Sequence, residues 1–276
     1  MPERPSVTYS MVDFSLSLRW ACYILCLIPS QGRLFLRSLT VTAHRGACSD
    51  HPENTRAAFL AAIELSVDII EFDVRLTRDE ELIVIHDDRV DRISDGAGLV
   101  AELDLAQMLA FDAGSWFHER FSTERFLTFS QTLDLMPPRM GLNVNVKATD
   151  ADREVLVPRV VESLAQRQLL RTAFVTGSEE NLLVARRVEP EVLICSNLPV
   201  SRCVEMGCQL LQPANGITTS ELVVEAHEQG IEVHPFYADE AAEMQRLIDC
   251  GVDGILTNFP QRLQRLIAPT ALNQDT

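Results

Sequence analysis

From residue 39 to 267 the chain alternates between short β-branched or aliphatic runs and longer stretches with helical apolar spacing. Period two marks strands and period 3.6 marks helices, so a regular alternation points to β/α units built on a parallel sheet. Strands are expected at 39–43, 69–76, 142–147, 172–176, 191–195, 208–212, 231–236 and 253–257. Helices are expected at 53–65, 129–136, 152–168, 179–188, 200–206, 219–229, 239–250 and 260–267. Eight strands, each followed by a helix or by an insertion that stands in for one, fit an α/β TIM (β/α)8 barrel. A doubly wound open sheet is the alternative. It favours fewer strands and a glycine-rich first turn, and His44-Arg45-Gly46 is not a GxGxxG.

The second unit departs from the rhythm. Its strand, 69–76, meets a polar turn at 77–81 and a second apolar run at 82–86, which reads as a hairpin. Glu71 and Asp73 are two apart and share one strand face. The returning arm brings His86 level with them. Two acids side by side repel unless a cation lies between them. Residues 88–126 follow as a small insertion, with Gly96, Gly98 and an acidic helix-like stretch at 102–110; it is expected to have no hydrophobic core of its own.

The barrel is expected over 40–268. Residues 1–39 look unlike it and are expected to be an N-terminal extension, an appendage or a signal. Its apolar run, 20–28, is far short of the ~20 residues of a transmembrane helix, so no stable membrane span is expected. Hydrophobic content of 46% is ample for a core. A net charge of −16 makes nucleic acid and anionic membrane surfaces poor partners. A small anionic substrate would need cations placed locally. The seven cysteines form no CxxC pair or metal spacing, which fits a reducing, cytoplasmic compartment; export or membrane association through 1–39 is the alternative. The sequence does not give an oligomeric state.

In a barrel of this kind the chemistry sits where strands end. The first strand ends in His44 and Arg45, the second carries Glu71 and Asp73, and its overhang carries His86. The third alternates, with Asn143, Asn145 and Lys147 on one face. The seventh ends in His234 and Phe236, the eighth in Thr257 and Asn258. Hard oxygen donors with two carboxylates suit Mg2+ or Ca2+ rather than zinc. Arg45 and Lys147 suit a phosphate. Two histidines suit a general base and a general acid. His234 has no such company and is expected to be structural. Metal, phosphate clamp and acid/base pair together describe phosphodiester cleavage.

The ordered text resembles the glycerophosphodiester phosphodiesterases. The matching pieces are His44-Arg45-Gly46, Pro52-Glu53-Asn54-Thr55, Glu71-Phe72-Asp73-Val74 with Thr77 and Asp79, and His86-Asp87. They continue with Asp91-Arg92, Gly96 and Gly98, the stretch 112–117, 143–147 and 251–260, so the resemblance spans about 41–264. It implies a TIM barrel, a divalent cation, and hydrolysis of a small glycerophosphodiester to glycerol 3-phosphate and an alcohol. His44 and His86 match the catalytic histidines, and Glu71 and Asp73 match metal ligands. Arg45 and Lys147 match phosphate-contacting cations. Two positions depart from the family pattern. Asn145 stands where a third metal carboxylate is usual, so the metal is expected to bind more weakly through Glu71, Asp73 and the Asn145 amide. Phe236-Tyr237-Ala238-Asp239 replaces a tryptophan-containing run; Phe236 is retained as the expected aromatic wall for substrate. Alternatives are a related lysophospholipase D-type enzyme acting on lipids, or a relative impaired by the change at 145.

Overall fold

The structure is a computed structural model describing residues 39–268. The apolar run at 20–28, and all but the last residue of the expected extension, lie outside them. Eight parallel strands form the centre: β1 (Thr40–Ala43), β2 (Ile69–Leu76), β5 (Gly141–Val146), β6 (Ala173–Thr176), β7 (Leu193–Ser196), β8 (Leu210–Leu211), β9 (Glu232–Val233) and β10 (Gly254–Thr257). Two short strands stand outside this set, β3 (Leu82–Val84) and β4 (Leu127–Thr128). The helices are α1 (Arg56–Glu64), α2 (Leu105–Met108), α3 (Phe129–Leu135), α4 (Arg153–Gln166), α5 (Glu179–Val188), α6 (Val200–Met206), α7 (Ser220–Glu228), α8 (Ala241–Cys250) and α9 (Pro260–Ile267).

The sheet runs β10-β1-β2-β5-β6-β7-β8-β9. No continuous ladder joins its two ends. They meet through a parallel bridge between Phe236 and Leu256 and through single bonds, Asp253 N–H to the Val233 carbonyl (2.9 Å) and Leu256 N–H to the Pro235 carbonyl (3.1 Å). This is the TIM barrel expected from the alternation. β8 and β9 are shorter than the apolar runs at 208–212 and 231–236. Pro213 and Pro235 follow them, and a proline has no N–H to give the ladder.

The core lies between the sheet and its jacket of helices. The face of α1 that meets the sheet buries Ala58, Phe59 and Ala62, and Phe59 packs edge-on against Phe72 of β2 at 5.9 Å. Removing a side chain like Phe59 from water contributes roughly 1.5–3 kcal/mol. The helix begins later than its apolar spacing alone predicts. Asn54 adopts a left-handed φ of +57°, which no helix accommodates, and Thr55 caps the helix by accepting the Ala58 N–H (3.4 Å).

The hairpin forms as expected, with Val74 opposite Val84 and Leu76 opposite Leu82. β4 adds a third strand to it, Ile83 opposite Thr128, which the sequence did not announce. The insertion is also better packed than expected. Ile83, Ile85, Val90, Ile93, Val100, Leu103, Met108, Ala113 and Phe126 form a buried cluster separate from the main core. The apolar positions are spread too widely in sequence to show a period, so only the fold brings them together. Among the described residues no helix is long and apolar enough to cross a membrane.

Candidate active site

A cavity of about 620 Å3 opens where the strands end. His44, Arg45, Glu71, His86, Asn145, Lys147 and Phe236 all line it. Asp73, the eighth expected site residue, lies directly beneath with 0% exposure. Register explains the convergence. β2 and β5 pair with Glu71 opposite Asn143 and Asp73 opposite Asn145, so alternate residues of both strands lean to the same side. Asn143 does not reach the cavity. It is fully buried and accepts a hydrogen bond from Thr176 Oγ1 (3.0 Å), tying β5 to β6. His234 is also buried, with Nε2 3.3 Å from Glu232, and does not line the cavity.

Asp73 is the hub. Its Oδ2 accepts from Asn54 Nδ2 (3.0 Å) and lies 3.3 Å from Arg45 Nε. Its Oδ1 accepts from Asn145 Nδ2 (3.1 Å) and lies 3.2 Å from Lys147 Nζ. Burial would raise its pKa, but Lys147 and then Arg45 outweigh it and hold Asp73 ionised below the usual carboxylate range. Glu71 fares differently. Burial, and then the neighbouring Asp73 charge, push it up to about 8, although Arg45 donates its backbone N–H to Oε2 (3.0 Å).

Both imidazoles are held by one nitrogen. His44 Nδ1 is 2.7 Å from Asn258 Oδ1. The Asn258 amide can turn only one way, because its Nδ2 donates to Asp239 Oδ2 (2.6 Å). His44 Nδ1 therefore carries the proton and Nε2 carries the lone pair. Burial, then the Arg45 charge, lowers the His44 pKa to about 4, so the ring is neutral at pH 7. Tyr237 stacks on it with centroids 5.5 Å apart. His86 Nδ1 instead meets a carboxylate, Asp87 Oδ1, at 2.7 Å.

One arginine joins the two halves. Arg92, from the insertion, donates through Nε to Asp87 Oδ2 (2.6 Å) and through both terminal nitrogens to Glu53 (2.9 and 2.7 Å). Glu53 also accepts from Arg45 Nη1 (2.8 Å). The chain His86–Asp87–Arg92–Glu53–Arg45 thus ties the hairpin arm to the loop after β1. Asn54, Glu53, Asp87 and Arg92 were visible in the sequence as motif letters, but nothing in a linear text shows that they touch. Arg75 was missed altogether. It also lines the cavity, and the same period of two that places Glu71 and Asp73 puts it on their face.

A divalent cation fits the donor set. Glu71, Asp73 and the Asn145 amide supply hard oxygens, and the high pKa of Glu71 marks a buried carboxyl short of counter-charge. Among the described residues no three His, Cys, Asp or Glu side chains form a cage by themselves, and position 145 contributes an amide rather than a carboxylate.

The model of the glycerophosphoryl diester phosphodiesterase family matches residues 44–262. A glycerophosphodiester phosphodiesterase of Caldanaerobacter subterraneus is 33% identical over 238 residues, covering 82% of this chain and 97% of that protein. One from Bacillus subtilis is 28% identical, covering 83% and 86%. Among solved structures, a phosphodiesterase of Oleispira antarctica in complex with the product sn-glycerol-3-phosphate superposes with a TM-score of 0.79 at 26% identity, covering 83% and 97%.

Proposed function

Because the chain belongs to the glycerophosphoryl diester phosphodiesterase family, we propose that its hydrolysis of glycerophosphodiesters runs through His44 as general base and His86 as general acid. The products are glycerol 3-phosphate and an alcohol. The observation that carries the roles is the pair of Nδ1 partners. Asn258 gives His44 a neutral partner and leaves Nε2 a lone pair, which suits a base. Asp87 gives His86 an anionic partner at Nδ1, which fixes the ring in place for proton donation and suits an acid.

His44 Nε2 takes the proton from the glycerol hydroxyl next to the phosphate. That oxygen bonds to phosphorus, the bond to the alcohol oxygen breaks, and His86 protonates the departing alcohol. A cyclic phosphate results. His86, now neutral, takes a proton from water, whose oxygen opens the ring, and His44 returns its proton to the glycerol oxygen. Arg45 and Lys147 bind and orient the phosphate. Glu71, Asp73 and Asn145 would hold Mg2+ or Ca2+, which when bound neutralises charge on the nonbridging oxygens. Phe236 walls the pocket beside the substrate.

The experiment is incubation with glycerophosphocholine and Mg2+ or Ca2+, with and without chelator. Metal-dependent release of glycerol 3-phosphate is expected. Release that chelator does not affect contradicts the metal assignment. Turnover of lysolipids alone contradicts the substrate assignment.

A further inference from the structure

Arg75 stands on β2 two residues beyond Asp73 and lines the cavity. Its Nε donates to the His86 carbonyl (2.9 Å), which fixes the plane of the guanidinium. Its two terminal nitrogens are left over. Among the described residues no carboxylate lies within 4.0 Å of Arg75, whereas Arg45 and Lys147 are both paired with Asp73, and Arg45 with Glu53 as well. A half-buried arginine held in a cavity with its terminal nitrogens free of any direct ion pair is a ready site for an anion.

The charge of the cavity points the same way. Its lining carries three permanent cations, Arg45, Arg75 and Lys147, against one carboxylate, Glu71. The reacting phosphodiester brings one negative charge, and Arg45 and Lys147 are placed for it. Arg75 is then still without a direct ion-pair partner, because Asp88, Asp73 and Asp87 act on it only at longer range. Across the cavity the wall is polar but uncharged, with Thr176, Ser178, Asn197 and Gln212, so no acid is placed there for a cationic head group. A volume of about 620 Å3 leaves room beyond glycerol phosphate for a sizeable alcohol.

We propose that Arg75 selects substrates whose alcohol half carries a second anionic group, a carboxylate or a phosphate monoester. Arg75 sits beside His86, the group assigned to the departing alcohol, so the second anion belongs to that half. The inference rests on the hydrolase mechanism above.

The test compares kcat/KM for glycerophosphoglycerol, glycerophosphoglycerate and glycerophosphoglycerol phosphate, with the bound-metal conditions held fixed. The three differ only at the far end of the alcohol, and the two acidic ones separate carboxylate from phosphate. The unaltered protein should favour at least one acidic substrate by about tenfold, the size expected for one charge pair. Arg75→Gln keeps an N–H donor for the His86 carbonyl but removes the charge, and should bring the ratio to about one. Arg75→Lys should restore part of it. Equal values for acidic and neutral substrates, or an Arg75→Gln variant that slows all three by one factor, overturn the proposal while leaving the mechanism standing. Failure to hydrolyse any of the three overturns both.

Discussion

At the scale of single residues, the site works by giving similar side chains different neighbours. Two carboxylates two residues apart on the same face, Glu71 and Asp73, differ because four donors surround Asp73 and only a backbone N–H reaches Glu71. With Glu71 pushed up to about 8, it is largely protonated at pH 7 and must lose its proton when a cation binds. Metal affinity should therefore rise with pH up to about 8 and level off above it. Calorimetry at pH 7 in buffers of different ionisation enthalpy should show about one proton released; no release would mean that Glu71 is not a ligand. Asn145 tests the same balance. Its Nδ2 now donates to Asp73, so Asn145→Glu replaces a donor with a third negative charge. That variant should melt at a lower temperature than the unaltered protein in chelator, and bind Mg2+ more tightly. An unchanged titration would mean that position 145 does not face the ion. His44 was legible as a site residue from His44-Arg45-Gly46. Its tautomer was not, because that depends on Asp239 and Asn258, both far away in the chain.

At the scale of elements, two connections set the geometry. The first is the tight loop between β1 and α1. Gly46 has φ of +82°, and a Cβ there would lie 2.7 Å from the backbone of Ala58 in α1. Gly46→Ala should cost about 2–3 kcal/mol, from left-handed strain and the displaced helix. Chemical denaturation measures this, and a loss below about 0.5 kcal/mol would show that the loop gives way. The second is the Arg92 strap from the insertion. Arg92 is partly exposed and carries little of the core, but it holds Asp87 against His86 and shares Glu53 with Arg45. Arg92→Ala should lower kcat about tenfold or more with only a small change in melting temperature. A fall in stability without a fall in kcat would make the strap a fold element only. The alternating strands and helices were readable because their period is local. The separate core of the insertion and the strand β4 were not, because both depend on contacts between segments that share no period.

At the scale of the whole molecule, the chain carries a formal net charge of −16 yet turns cations inward to the mouth of its barrel. Eight β/α units were countable in the sequence, and the barrel follows from them. The shortness of β8 and β9 follows from prolines that the strand count passed over. The placement of paired acids and paired imidazoles at one cavity depends on the register of β2 against β5 and on the hairpin. The hairpin is legible as a polar turn between two apolar runs, and the shared face as Glu71 and Asp73 two apart, but the register of β2 against β5 leaves no trace in the sequence. The central claim is the division of labour between the two histidines, and the leaving group tests it most directly. A glycerophosphodiester of p-nitrophenol needs no acid to release its alcohol, whereas glycerophosphocholine does. His86→Ala should lose about 100-fold or more in choline release from glycerophosphocholine yet keep most of the first-step release of nitrophenol, which precedes ring opening, while His44→Ala should lose release from both. Equal losses on both substrates for His86→Ala, or recovery by His44→Ala instead, would contradict the assignment.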